Sequence, residues 1–238
     1  MAYINGNKIL NINLQKVEVM SDVIDFARFS SHIEIEDLNL LGKENVVLNL
    51  DNVSNLNNFN FTDHLQPKPP ENTAVKHLTI NCPNKITSLS NAFSRIYMND
   101  NFLERLTLNL DTSAVTNLYY FIAYLKALKV IDGQPLDFSS VNNTQACFSG
   151  IDSLEEIRFV ENSIPKSIII NSATKLSKES ITSFVNGLNS DVTEQTLTLS
   201  KTAVNTAFET AEGLTDGNTS EEWLNLIATK PNWTITLS

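Results

Sequence analysis

Val115-Thr116-Asn117-Leu118, closed by Phe121-Ile122, has two counterparts: Ile86-Thr87-Ser88-Leu89 with Ala92-Phe93, and Val141-Asn142-Asn143-Thr144 with Cys147-Phe148. Behind each copy stands a short apolar run: Leu103-Glu104-Arg105-Leu106-Thr107-Leu108, Leu128-Lys129-Val130-Ile131, and Leu154-Glu155-Glu156-Ile157-Arg158-Phe159. With Val75-Lys76-His77-Leu78-Thr79-Ile80 in front, the markers Leu78, Leu106, Ile131 and Ile157 follow at steps of 28, 25 and 26 residues. Periods of this size belong to stacked units, none of which can bury its apolar face alone. Leu106, Leu108, Ile131, Ile157 and Phe159 are then inward positions. A solenoid presents a long exposed surface, which favours binding or scaffolding over catalysis.

The bulk composition fits this reading. A hydrophobic fraction of 42% over 238 residues is enough for a sizeable core and too high for a disordered chain. A formal net charge of −10 argues against binding to nucleic acid or to anionic membranes, both of which need basic surfaces. Cys82 and Cys147 fall in different units, and two buried free thiols are expected rather than a disulfide. The N-terminal residues show no basic region followed by an apolar one, and no run approaches the length of a membrane helix. The expectation is a protein made in a cytoplasm.

Outward from the repeats, Tyr3-Ile4 and Ile9-Leu10-Asn11-Ile12 around Asn5-Gly6 read as a hairpin, serving either as a docking tab or as a cap. Ser21 caps an expected short helix over 22–29, and strands are expected at Ile33-Glu34-Ile35 and Val46 to Leu50. Asn52 to Asn60 reads as an irregular arc. The Pro-rich segment His64 to Asn72 reads as a surface loop or a domain boundary. Ile86 and Leu103 are 17 residues apart, whereas Val115–Leu128 and Val141–Leu154 are 13 apart, so extra residues near Tyr97-Met98-Asn99-Asp100 should bulge. Beyond Asn162 the pattern becomes strand 167–170, helix 177–188, strand 195–199, helices 202–208 and 220–228, and strand 231–237. The resulting division is 1–30 hairpin and helix, 31–162 repeat array, and 163–238 atypical capping units. The fold class is α/β: a leucine-rich-repeat solenoid with a parallel sheet on one face, short helices and arcs on the other, an N-terminal hairpin and helical C-terminal capping units.

The run Val115-Thr116-Asn117-Leu118, Phe121, Leu128-Lys129-Val130-Ile131 and Asp137-Phe138-Ser139 resembles BspA-like leucine-rich repeats over about residues 75–160. Leu176 to Ile181, Gln195 to Leu199 and Ala228 to Ile235 look like the closing segment of phage-encoded proteins of this type. Tyr3-Ile4-Asn5-Gly6-Asn7 looks like the start of phage tail and baseplate proteins. This resemblance implies a virion structural protein, assembled in the bacterial host cytoplasm. Its implied partners are other tail or baseplate proteins and a host-surface receptor. BspA-like adhesins of cell surfaces are the alternative, and they usually carry a signal or anchor.

No constellation of residues signals chemistry. His32, His64 and His77 stand in no metal spacing, and no nucleophile elbow or phosphate loop occurs. Asp132, Asp137, Glu155 and Glu156 are the carboxylates that a glycan-cleaving protein would have to use, but no aromatic sugar platform accompanies them in sequence. No catalytic residue, cofactor or metal is expected. The candidate interface residues are Tyr3, Ile4, Tyr97, Tyr119, Tyr120 and Tyr124. With Phe121, Leu118 and Leu125 inward, at least one tyrosine of 119–124 should stay outside. Its role is then subunit contact or packing between repeats.

Overall fold

A computed structural model describes residues 10–13, 23–25, 33–37, 45–49, 76–93, 102–209 and 216–238. In it the chain winds as a parallel β-solenoid of about four turns, followed by turns that carry helices. On the first face, β2 (Val23–Asp25), β4 (Asn45–Asn49), β5 (His77–Lys85), β6 (Arg105–Asp111) and β7 (Val130–Gly133) form one parallel sheet in that order. Leu78 pairs with Leu106 and Leu106 with Ile131, and a further bridge from Val130 to Glu156 carries the ladder one turn on. Side chains alternate across a strand. Leu78, Ile80, Leu106 and Leu108 are therefore fully buried, as are Ile131 and Ile157, while Thr79 and Thr107 turn outward.

The second face corrects the expectation of irregular arcs. Leu89, Asn91 and Phe93 donate backbone N–H groups to Asn117, Tyr119 and Phe121 at 2.8–2.9 Å. Leu118, Tyr120, Ile122 and Tyr124 donate in turn to Asn143, Gln145, Cys147 and Ser149. The arcs thus form a second parallel ladder, because buried backbone groups need partners and the next turn supplies them. Thr144 Oγ1 donates to the Ser167 carbonyl at 2.6 Å, and from there β8 (Ile168–Ile170), β9 (Gln195–Leu199) and β10 (Trp233–Leu237) continue in parallel.

The recurring polar residues of the repeat hold the corners. Asp111 and Asp137 accept from the N–H groups of Ser113 and Ser139 at 3.1 and 2.9 Å. Asn117 and Asn143 accept from Tyr119 and Gln145 at 2.9 and 3.1 Å, and Ser88 does the same for Ser90. These are side-chain-closed turns, in which a short polar side chain replaces a backbone acceptor. Inside, Phe93, Phe121 and Phe148 stack edge to face along the axis at 5.8 and 6.5 Å, and Phe159 and Phe184 continue the row.

The helices are inserted in line with the strands. α1 (Lys178–Gly187), capped by Ser177, takes the place beside 155–159 that a further strand would fill. The Ser177 N–H donates to the Glu155 carbonyl at 2.9 Å, and Ser180 Oγ and Ser183 Oγ accept from the N–H groups of Ile157 and Phe159 at 3.0 and 2.8 Å. Serines spaced by three residues on one helix face therefore answer a sheet edge. α2 (Lys201–Ala207) and α3 (Glu221–Ala228) are capped by Ser200 and Ser220, close to the expected bounds. Three consecutive carbonyls, those of Leu188, Asn189 and Ser190, are clasped by Lys230 Nζ, Trp233 Nε1 and Asn232 Nδ2 at 2.6–2.9 Å. Burial pushes the Lys230 ammonium below its ordinary value, against the opposing pull of Glu161.

One N-terminal expectation changes. The helix over 22–29 is replaced at Val23–Asp25 by a strand paired to Val47–Asn49, since β-branched Val23 and Ile24 gain more from the ladder than from an isolated turn. β1 (Leu10–Asn13) pairs in parallel with β3 (Ile33–Asp37), and β3 lies outside the main sheet; the turn and the first strand expected of the hairpin lie outside the described residues. Tyr3 and Ile4, the arc 52–60, the Pro-rich segment 64–72 and the bulge near 97–100 lie outside the described residues. Cys82 and Cys147 are buried free thiols, and burial pushes the Cys147 thiol far up.

Two predictions follow from these contacts. Ser180→Ala with Ser183→Ala leaves the Ile157 and Phe159 N–H groups unanswered. It should destabilise by about 1–3 kcal/mol per lost acceptor, with faster hydrogen exchange at those two amides. The Asp111 carboxyl sits below its usual value because Ser113 donates to it, with help from Lys85. Its contribution is complete above the unfolded value of about 4 and fades as pH falls through the lower folded value. Urea titrations in acid should therefore show Asp111→Asn losing stability less steeply than the parent.

Candidate binding face

The two faces differ in their outward side chains. On the first, two ion pairs run laterally between turns, and Glu156 and Arg158 stand exposed beside them. Arg105 forms an ion pair with Asp132, which also accepts from Thr107 Oγ1 at 2.5 Å. Lys129 Nζ meets Glu104 Oε2 at 2.7 Å; this contact lowers the Glu104 carboxyl and raises the Lys129 ammonium. His77, exposed opposite buried Leu78, joins Asn45 Oδ1 at 2.6 Å, and Asn109 Nδ2 donates to Asn81 Oδ1 at 2.6 Å. Both ion pairs are exposed, so they tune this face more than they stabilise it.

The second face carries Ser90, Tyr119, Gln145, Ile169, Thr198 and Thr236 on successive turns, with no Lys, Arg, Asp or Glu among them. Ile169 is 60% exposed, and Tyr124 at the rim is 38% exposed. Tyr119 meets Tyr120 edge to face at 4.5 Å, and Tyr120 stacks on Tyr124 at 6.1 Å with ring planes 26° apart. The structure thus brings together three of the six candidate interface residues, while Tyr3, Ile4 and Tyr97 lie outside the described residues. Phe121, Leu118 and Leu125 are buried beneath them.

Tyr120 and Tyr124 both adopt left-handed backbone, at φ 50° and 65°. The equivalents of Tyr120 in the adjacent turns are Asn91 and Ala146, at φ 54° and 53°, and the equivalent of Tyr124 is Gly150 at φ 64°. A left-handed L-residue costs about 1–2 kcal/mol, and bulky residues are rare there. At Gly150 an added Cβ would stand 2.9 Å from Tyr124 Cδ1, so this glycine leaves room for the tyrosine ring. The left-handed positions were not legible in the sequence. Three different residue types share the conformation, and only Asn91 carries the usual signal for it.

The four carboxylates considered for catalysis serve other ends or stand apart. Asp132 is held by Arg105 and Thr107, Asp137 closes its corner, and Glu155 and Glu156 are successive residues with the second exposed. A groove of about 460 Å³ beside α1 is lined by Phe159, Glu161, Lys178, Glu179, Thr182, Ser183 and Asn186. Its Ser183 hydroxyl is engaged by the Phe159 N–H, and Lys178 binds Glu222 at 2.6 Å. Among the described residues no His, Cys, Asp and Glu side chains are grouped to hold a metal, and no helix is long and apolar enough to cross a membrane.

Gly150→Ala tests how the tyrosine cluster is built. It should lower stability by about 1–2 kcal/mol through its left-handed backbone. It should also change the near-ultraviolet circular dichroism of the tyrosines, because Tyr124 must move; an unaltered spectrum would show that the ring does not rest on this glycine.

No protein-family model matches the chain, and neither a curated protein nor a solved structure does.

Proposed function

We propose that this chain is a non-enzymatic binding solenoid that docks through its second face, with Tyr119, Tyr120 and Tyr124 at the centre of contact. The observation that carries the reading is the contrast between the faces. One is charged, with Arg105–Asp132 and Lys129–Glu104 paired laterally and Glu156 and Arg158 exposed beside them, and the other carries a stripe of uncharged side chains with a strained tyrosine cluster. Interface centres are depleted of charge and enriched in tyrosine, and strain of this kind concentrates where a surface is used. The partner is a protein of a larger assembly, and no cofactor enters the reading.

Within that reading we assign the solenoid to the leucine-rich type, on its repeat steps and its columns of Leu and Ile. We place it in a bacteriophage virion, attached to tail or baseplate and facing other virion proteins or a host receptor. This placement rests on the resemblance of Tyr3 to Asn7, Leu176 to Ile181 and Ala228 to Ile235 to such proteins.

A photo-reactive phenylalanine analogue at Tyr124, irradiated in the native lysate, tests both parts. Capture of a discrete virion protein from purified particles is expected, and the same probe at Thr107 on the first face should capture far less. Equal capture at the two sites would overturn the choice of face. Absence of the chain from particles, with recovery on cell envelopes, would overturn the virion placement in favour of an adhesin.

A further inference from the structure

β10 is the outermost strand of its sheet: it pairs with β9 on one side, and among the described residues nothing pairs with the other. The Ser238 N–H donates to Leu199 at 3.1 Å, so alternation along the strand turns the backbone groups of Ile235 and Leu237 towards the open side. Natural proteins guard such edges with lysine, proline, bulges or inward charges. None of these guards occurs from Asn232 to Ser238. Ile235 and Leu237 point inward and pack against the core, yet remain only half-buried.

We propose that this edge pairs with a second copy of the chain, whose β10 lies antiparallel to it about a two-fold axis through Ile235. The pattern Trp233-Thr234-Ile235-Thr236-Leu237 is complementary to itself in that arrangement. Ile235 faces Ile235 of the other copy, Trp233 faces Leu237, and Thr234 faces Thr236. Every apolar side chain then falls on the core side of the joined sheet and every threonine on the outer side. Electrostatics favours this place over others. Copies of a chain with net charge −10 repel, but this edge strand carries no charged side chain from Pro231 to Ser238. A two-fold pairing also closes on itself, whereas a head-to-tail pairing of this edge with a different edge would grow without end.

Sedimentation of the full chain over a concentration series up to about 100 µM measures the association. A closed dimer is expected. Thr234→Lys with Thr236→Lys sets like charges opposite each other across the axis and should weaken it by at least about tenfold. Thr234→Lys with Thr236→Glu sets opposite charges in the same places and should restore it. Both threonines are exposed, and circular dichroism verifies that each variant stays folded. A monomer at every concentration, open-ended polymers, a dimer indifferent to the double lysine variant, or a lysine–glutamate variant as weak as the double lysine would each overturn the proposal.

Discussion

Everything in this molecule depends on one requirement: each turn leaves a row of backbone donors and acceptors that the next turn must answer. Strands meet it on the first face from Val23 to Glu156, and the arcs meet it on the second face from Leu89 to Ser149. Where the strand pattern stops, the requirement does not. Ser177, Ser180 and Ser183 then stand in for a strand, with α1 presenting its backbone N–H and hydroxyls at the heights where a ladder would have placed its own groups. The clasp of Lys230, Asn232 and Trp233 on three successive carbonyls follows the same logic.

The core makes that stacking favourable. Turns of unequal length keep their inward columns filled with buried apolar side chains. Ala92 precedes Phe93, Phe121 precedes Ile122, and Cys147 precedes Phe148, so the large ring shifts between two buried columns from turn to turn. Outside, the two faces divide the polar work. Lateral ion pairs and amide ladders occupy the first, and uncharged side chains occupy the second.

Much of this was legible in the sequence. The markers Leu78, Leu106, Ile131 and Ile157 located the first-face columns, and Ser177 and Ser220 marked helix starts. What the sequence hid has physical reasons. The pairing of arc to arc is made by backbone atoms, and no side-chain periodicity reports it. At Val23 and Ile24 an apolar run too short for either period was read as helix, whereas a partner strand 24 residues on decides the matter. Of the candidate binding face, the tyrosines could be named in advance. Their neutral surroundings could not, because that stripe is assembled from single residues of separate turns.

The left-handed position shared by Asn91, Tyr120 and Ala146 has a consequence for how such a protein diversifies. Three side chains as unlike as an amide, a phenol and a methyl occupy one backbone geometry without disturbing the hydrogen bonds on either side. The frame there is set by the neighbouring turns and is nearly indifferent to what it displays. Descendants can therefore exchange the residue at this slot and alter what the surface displays, while inheriting the scaffold unchanged.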